Sequence, residues 1–172
     1  MTSKIKRFPG TSLSTSDFEN GTVLFNHDEM RAEYAWDTGV AIGTYLAGLK
    51  RGQILGAYCP SCRRTVIPPR TMCERCFRPI EQIVPLQDTG TVNTFSLCYV
   101  TWDVQRLTEP QVPAVIEIDG ASPLHGILHM LGEVDPQEVR IGMRVQAFWK
   151  PEDERQGAIT DILYFKPLSE KD

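Results

Sequence analysis

Four of the five cysteines in this chain form two pairs, Cys59-Pro-Ser-Cys62 and Cys73-Glu-Arg-Cys76, with ten residues between the pairs. A Cys-x-x-Cys turn directs two sulfur atoms toward one point, so two such turns can supply the four thiolates of a tetrahedral Zn²⁺ site. The spacing therefore predicts one zinc ion held by these four side chains. Because four protein thiolates leave no position for a water ligand, the ion is expected to be structural rather than catalytic. Two disulfides, or a redox or iron–sulfur centre, are the alternatives.

The segment that carries the cysteine pairs is strongly basic. Between Cys59 and Ile80 it contains five arginines and one acidic residue, Glu74, although the whole chain has a formal net charge of −4. The planar guanidinium group suits phosphate because it donates two parallel, charge-assisted hydrogen bonds. We therefore consider a phosphate-bearing ligand here, with candidate contacts at Arg63, Arg64, Arg70 and Arg75. The alternative is that these arginines are solvated and only offset the charge of a tetrathiolate site.

The elements that must position these residues follow from composition and periodicity. The amino-terminal segment lacks the apolar core of a secretory signal, and no long apolar run occurs elsewhere, so we expect a cytoplasmic protein without a membrane segment. Residues 1–27 have no sustained period and are expected to form an extended or mobile arm. Residues 28–52 predict a helical segment, broken near Thr38-Gly39. Its apolar side chains are covered either by the chain's own downstream domain or by a partner subunit.

We assign residues 53–82 to a rubredoxin-like zinc ribbon and residues 83–172 to an all-β module. Its five predicted strands cover residues 90–100, 112–119, 124–131, 143–150 and 158–166. In the second strand apolar residues alternate with others, which predicts one buried face formed by Val112, Ala114, Ile116 and Ile118. Short strands with turn-rich connections indicate a small Greek-key barrel of the OB type, with a β-sandwich as the alternative. The predicted fold class is α+β, mainly β.

Several stretches of the chain together resemble the zinc-ribbon OB-fold proteins associated with acyl-CoA metabolism. They are Arg51-Gly-Gln-Ile-Leu-Gly-Ala-Tyr-Cys59-Pro-Ser-Cys62, Ile67-Pro-Pro-Arg70-Thr-Met-Cys73-Glu-Arg-Cys76, Gly90-Thr-Val-Asn-Thr-Phe-Ser, Pro113-Ala-Val-Ile-Glu-Ile-Asp, Gly132-Glu-Val-Asp and Arg140-Ile-Gly-Met-Arg-Val. The likeness covers roughly residues 28–166. A Cys-x-x-Cys pair alone is unspecific, whereas this combination of motifs identifies the family.

This resemblance implies an accessory subunit of a hetero-oligomer that is not catalytic alone. Such proteins accompany thiolase-fold enzymes, including acetoacetyl-CoA thiolases, the benzoylsuccinyl-CoA thiolase of anaerobic toluene breakdown and thiolase-like aldolases, and their genes usually lie beside that of the partner. By implication, Zn²⁺ is a structural cofactor and a coenzyme A thioester is the ligand of the complex. The arginines named above would then contact the coenzyme A phosphates, while the thiolase-fold subunit supplies the chemistry.

Single-stranded nucleic-acid binding is the alternative function for an OB barrel. Phe95, Tyr99 and Trp102 lie near the first barrel strand, where aromatic rings can stack on bases. Stacking proteins also need a basic track along the nucleic-acid backbone, and this part of the chain is acidic, so nucleic acid is not the expected partner. The acidic residues are Asp88, Asp103, Glu109, Glu117 and Asp119.

The chain offers little for catalysis of its own. Its three histidines are His27, His125 and His129, and the last two are four residues apart, which places them on one face of a strand or of a helix. A second metal site there would lack a third ligand by spacing, so we expect ordinary surface or interface histidines. Cys98 is expected to be a buried, small apolar residue rather than a nucleophile.

Overall fold

The computed structural model describes residues 13–26, 33–101 and 103–168. The chain divides into two units, one ending at Trp36 and the other beginning at Asp37. In the first unit a short helix, α1 (Thr15–Glu19), follows Ser14, whose backbone N–H donates to the Asp17 carboxylate at 2.8 Å. Part of the predicted arm is therefore helical. Residues 1–12 and 27 of that arm lie outside the described residues.

Helix α2 (Gly39–Lys50) begins at the predicted break, where the Gly39 N–H donates to the Asp37 carboxylate at 2.8 Å. Residues 33–38 are not helical, so the predicted helical segment is shorter than expected, and residues 28–32 lie outside the described residues. Tyr45 and Leu49, four residues apart on one helix face, are buried in the main core. The carboxyl-terminal half of α2 thus packs on its own domain, whereas Val40 at the other end is 81% exposed.

The ribbon is a three-stranded antiparallel sheet with the order β2-β1-β3. Its strands are β1 (Leu55–Cys59), β2 (Arg64–Val66) and β3 (Gln82–Pro85). The ribbon has a small core of its own, formed by Ala57, Cys59, Val66, Cys73 and Ile80. Ile54, Leu55 and Ile67, at the base of the ribbon, belong instead to the large core of the second unit.

The remaining strands are β4 (Thr89–Phe95), β5 (Cys98–Val100), β6 (Arg106–Gln111), β7 (Pro113–Ile118), β8 (Gly126–Met130), β9 (Arg144–Trp149) and β10 (Ile162–Pro167). Five of them form an antiparallel sheet with the order β10-β9-β4-β7-β8. A parallel bridge between Leu131 and Phe165, with the Gly132 N–H donating to the Phe165 carbonyl at 2.9 Å, joins the two outer strands and closes the sheet. This connectivity is the five-stranded barrel of the OB fold, so the predicted fold class is confirmed.

The predicted alternation in the second barrel strand is confirmed, because its four apolar residues are all buried. The predicted strand 90–100 is in fact two strands, β4 and β5, and β5 pairs with the unpredicted strand β6 to form a separate hairpin. The predicted strand 158–166 starts too early, since a 3-10 helix (Ile159–Asp161) precedes β10. The fully buried Asp161 carboxylate accepts backbone N–H groups of Gln156, Gly157 and Ala158, which fixes this turn.

None of the helices in the described parts of the chain combines the length and the apolar character needed to cross a membrane.

Candidate metal centre and its arginine-rich surroundings

The Sγ atoms of Cys59, Cys62, Cys73 and Cys76 all lie within 4.8 Å of one another. The Cys59–Cys76 sulfur distance is 3.7 Å and the Cys62–Cys73 distance is 3.9 Å. A tetrahedron with zinc–sulfur bonds of about 2.3 Å has edges of about 3.8 Å, so these two distances match the edges of a tetrathiolate zinc site. Both distances are far longer than the S–S bond of about 2.05 Å in a disulfide, so the arrangement favours a metal site over two disulfides. Within the described ranges this is the only group of three or more metal-binding side chains brought together.

Two tight turns position the four sulfurs. The first knuckle, residues 59–64, is closed where Cys59 pairs with Arg64 between β1 and β2. In the second knuckle, residues 71–80, the Cys73 N–H donates to the Arg78 carbonyl and the Phe77 N–H donates to the Cys73 carbonyl, each at 2.9 Å. The residue that follows each knuckle's second cysteine is left-handed, with φ of 52° at Arg63 and 55° at Phe77. Both halves of the site therefore place a left-handed residue directly after their second cysteine.

The thiols differ in acidity before a metal binds. Backbone N–H groups of Cys76 and Arg75 donate to the Cys73 sulfur and lower the pKa of Cys73 to about 6. Hydrogen bonding to the Cys76 sulfur, together with burial, raises the pKa of Cys62 to about 12. The lowered pKa favours the thiolate at Cys73, whereas the raised pKa keeps Cys62 protonated at neutral pH, so loading a tetrathiolate site releases protons. Metal affinity should therefore increase with pH.

Glu74 is the centre of an ion-pair cluster beside the second knuckle. Its carboxylate lies 3.6 Å from Arg64, 3.1 Å from Arg70 and 3.2 Å from His125 Nε2. Arg64 also lies 2.7 Å from His125 Nε2, and burial is the main cause that lowers the pKa of His125, which favours a neutral ring accepting from the guanidinium. Two of the four candidate phosphate contacts are therefore already paired with a carboxylate inside the chain.

The other two candidate arginines, Arg63 and Arg75, are exposed and have no ion pair among the described residues. Each is next to a cysteine of the cluster, and they lie in different knuckles. Of the four arginines predicted to contact phosphate, two are thus paired with Glu74 and two are available to a ligand. The sequence does not reveal these contacts: residues 70–74 are not helical, so a spacing of four does not place Arg70 beside Glu74, and His125 comes from the barrel.

The ribbon is fixed to the barrel by the loop between β7 and β8. The Thr65 N–H donates to the Ser122 hydroxyl, and the Ser122 N–H donates to the Thr65 carbonyl, each at 2.9 Å. The hydrogen bond from the Arg64 guanidinium to His125 Nε2, at 2.7 Å, strengthens the same junction. Because strand β2 is held at both its backbone and its side chains, the cysteine cluster has a defined position relative to the barrel.

The histidines predicted to share a face do not form a joint site. His129 lies 3.2 Å from the Ile159 carbonyl through Nε2 and packs edge-on against Phe165, whereas His125 faces the ribbon. His27 lies outside the described residues. Cys98 is only half-buried, so the expectation of full burial is wrong.

The aromatic residues considered for nucleic-acid stacking do not form a common platform in the described structure. Phe95 packs against the barrel core, and Tyr99 is half exposed on the β5–β6 hairpin. The side chain of Trp102 lies outside the described residues. Of the acidic residues near them, Asp119 forms a salt bridge with Arg144, which together with the Thr89 hydroxyl lowers its pKa.

The fold and the cysteine cluster define a protein that joins a zinc ribbon to an OB barrel. Comparison with protein families agrees: the family model of the ChsH2 rubredoxin-like zinc ribbon domain matches residues 46–81, and that of the ChsH2 C-terminal OB-fold domain matches residues 83–150. A DUF35 domain-containing scaffold protein of Methanocaldococcus jannaschii is 30% identical over 118 residues, which are 67% of this chain and 82% of that protein. The chain belongs to the DUF35 family.

Two solved structures are similar to this chain. A DUF35-family protein of unknown function from Sulfolobus solfataricus is 28% identical, with a TM-score of 0.56 over 64% of this chain and 79% of that one. The Ltp2-ChsH2(DUF35) aldolase is 19% identical, with a TM-score of 0.56 over 78% of this chain and 98% of that one. At that identity the second likeness concerns the fold.

Proposed function

We propose that this protein is a non-catalytic, zinc-binding subunit of a thiolase-type acyl-CoA-processing complex. It helps to assemble the complex and to hold the coenzyme A moiety of the substrate, while a thiolase-fold subunit carries out the bond-breaking step. The main observation in support is the cluster of four thiols. It lies on a ribbon that is fixed to the barrel by hydrogen bonds. Such a site offers zinc four protein ligands and no open position for substrate or water, so its contribution is structural.

The neighbouring side chains also favour a supporting role. Both histidines within the described residues have structural partners, His125 at the ribbon–barrel junction and His129 beside Ile159 and Phe165. Neither is free to act as a general base in this arrangement. The relative from Methanocaldococcus jannaschii is described as a scaffold protein, and the fold recurs in an aldolase that includes a DUF35 component. Both support assignment to a hetero-oligomer.

Recovery of the tagged chain from its native cells tests the assembly. We expect it to copurify with a thiolase-fold enzyme in a fixed ratio, and we expect acyl-CoA turnover by that enzyme to fall when the chain is removed and to return when it is added back. A chain that is recovered alone and leaves acyl-CoA turnover unchanged would refute the proposal. Zinc analysis of the same preparation should give about one ion per chain.

Coenzyme A binding is expected to depend most on Arg63 and Arg75, because neither has an internal carboxylate partner. Arg64 and Arg70 can reach a phosphate only by giving up Glu74, so they are secondary contacts. In the purified complex, we expect replacement of both Arg63 and Arg75 by Gln to weaken coenzyme A binding by about 10-fold to 100-fold, as charge-assisted hydrogen bonds are lost. Isothermal titration with coenzyme A measures this change.

Two variants make that titration specific. Replacing Arg106 and Arg140 by Gln removes the same charge from exposed sites outside the ribbon and should leave coenzyme A affinity within about twofold. Glu74→Gln releases Arg64 and Arg70 and should tighten binding. Equal weakening by both double variants would show a general charge effect and contradict the assignment of the ribbon arginines.

A further inference from the structure

Phe77 is an unusual residue for its position. It follows the last cysteine of the second knuckle with φ of 55°, a conformation that glycine adopts without steric cost and that bulky residues rarely adopt. Its side chain is 76% exposed, so packing within the chain does not offset that strain. The matching position of the first knuckle, Arg63, is also left-handed, but its exposed side chain is charged rather than apolar. An exposed aromatic ring in a strained turn points to a contact outside the chain.

The turn that carries Phe77 is held on several sides. The Phe77 N–H donates to the Cys73 carbonyl at 2.9 Å, the Ile80 N–H donates to the Thr71 carbonyl at 2.9 Å, and Met72 bridges to Pro79. Met72 lies in the same turn and is 46% exposed. Two apolar side chains are therefore presented from a turn braced by backbone hydrogen bonds. Little conformational entropy is lost when such a preorganised surface binds.

The charges around the ring select the kind of partner. Arg78, directly after Phe77, is exposed and donates to the Ser61 hydroxyl at 3.1 Å, and no carboxylate pairs with it among the described residues. An aromatic ring beside an arginine is the composition of interface hot spots, where the ring fills a socket and the guanidinium meets an acid. Charge complementarity therefore calls for a partner surface with an apolar socket bordered by Asp or Glu.

We propose that the tip of the second knuckle, formed by Met72, Phe77 and Arg78, docks into an acidic-rimmed apolar socket on the catalytic subunit. The inference rests on the proposed function for the existence of that subunit, but it uses residues other than the four candidate coenzyme A arginines. A nucleic acid fits less well, because the tip offers one ring rather than a row of stacking platforms. Glu74 also pairs with the arginines that would have to extend a basic track.

Phe77→Gly separates docking from stability. The catalytic subunit copurified with the wild-type chain is purified separately and titrated against the zinc-loaded full chain. We expect its Kd to rise by about 30-fold or more, as for the loss of a hot-spot aromatic residue. Zinc content should stay unchanged and the thermal midpoint should stay or rise, because glycine accepts the left-handed backbone. A structural role for the ring would instead lower the midpoint.

Val104→Gly is the matched control. Val104 is also left-handed, with φ of 66°, and 79% exposed, but it lies in the β5–β6 hairpin. Its removal should leave the Kd within about twofold. Arg78→Gln should weaken binding by about 3-fold to 10-fold and reduce its salt dependence, because a charge at the rim of an interface is lost.

A photoreactive benzoylphenylalanine at position 77 locates the partner directly. We expect a crosslink to a peptide of the catalytic subunit that contains Asp or Glu. A crosslink to a second copy of this chain or to nucleic acid, unchanged binding by Phe77→Gly, or equal losses in Phe77→Gly and Val104→Gly would each overturn the docking surface and leave the proposed function standing. Absence of any catalytic subunit that binds the wild-type chain would overturn both.

Discussion

The ribbon and the barrel of this protein differ in what stabilises each of them. The ribbon's own core is small, and two of its five members, Cys59 and Cys73, are candidate zinc ligands. The barrel core contains large apolar side chains from β4, β7, β8, β9 and β10 and from helix α2. From this difference we expect the order of the ribbon to depend on a bound metal ion, whereas the order of the barrel depends on apolar burial.

The boundary between the part stabilised by the barrel core and the part stabilised by the cysteine cluster lies inside the ribbon. Ile54, Leu55 and Ile67 at its base are part of the barrel core, whereas the knuckles beyond them have the cysteine cluster as their main stabilising feature. Loss of the metal should therefore disorder the knuckles and spare the base.

The largest effect is expected for Cys73→Ser, which removes one of the four thiolates. Structural zinc sites contribute about 10–16 kcal/mol of binding free energy, much of which is folding free energy in a small domain. We expect zinc content to fall from about one ion per chain to none, and hydrogen exchange to become fast in both knuckles but not in the barrel. Cys98→Ser, outside the cluster, is the control. Retention of one zinc ion by the Cys73 variant would disprove the four-cysteine site.

Phe165→Ala tests the other side of the comparison. Phe165 is completely buried at the barrel closure, so its truncation should lower the free energy of unfolding by about 3–5 kcal/mol. Urea denaturation measures this loss, and zinc content should not change in the folded variant. Leu163→Ala, on the same strand but 42% exposed, should cost much less. Similar losses in the two variants would argue against a barrel core at this position.

Asp161→Asn should cost about 1–3 kcal/mol, because a buried carboxylate that accepts backbone N–H groups is replaced by a neutral amide. Burial acts to raise the pKa of Asp161, but the N–H groups of Gln156, Ala158 and Gly157 outweigh it and the pKa lies below the usual 3.8. The carboxylate therefore stabilises the fold above about pH 4, and that contribution disappears as the pH falls through the lowered folded-state pKa. Denaturation at pH 7 and at pH 2.5 should show the wild-type advantage shrinking. A constant difference would contradict the charged form.

The smallest effect is expected for Arg144→Gln, which breaks the salt bridge with Asp119 on the barrel surface. The two side chains are 47% and 28% exposed, so solvent screening limits the contribution to less than about 1 kcal/mol. Salt screens exposed charges, so the difference in unfolding free energy between the wild-type protein and the variant should be smaller in high salt than in low salt. A loss of several kcal/mol that salt does not reduce would mean that this pair belongs to the barrel core.

Features that depend on neighbours along the chain were predictable. The alternation of Val112, Ala114, Ile116 and Ile118 predicted a buried face because side chains of a strand alternate between its two sides, and all four are buried. Strand β6 was missed because it pairs with β5 outside the barrel and has no buried face to leave a pattern. It also contains Glu109 and Pro110, which are rare in strands.

The break at the start of β10 was missed for a different reason. Residues 158–161 follow a strand-like apolar pattern, but the Asp161 carboxylate binds three preceding backbone N–H groups and forms a turn instead. A side chain that competes for backbone hydrogen bonds overrides local propensity. The burial of Cys98 was also mispredicted from local information. Its residue type predicted burial, but its strand lies in an exposed hairpin.

The amino-acid sequence already determined a four-thiol site and the buried face of the second barrel strand, because both depend on short-range spacing. Tertiary structure alone decided which arginines remain available. Glu74 binds Arg64 and Arg70 at a junction completed by His125 from the barrel, and this leaves Arg63, Arg75 and the tip around Phe77 facing solvent. Such pairing depends on how two surfaces dock, and residues far apart in the chain carry no local pattern that reveals it.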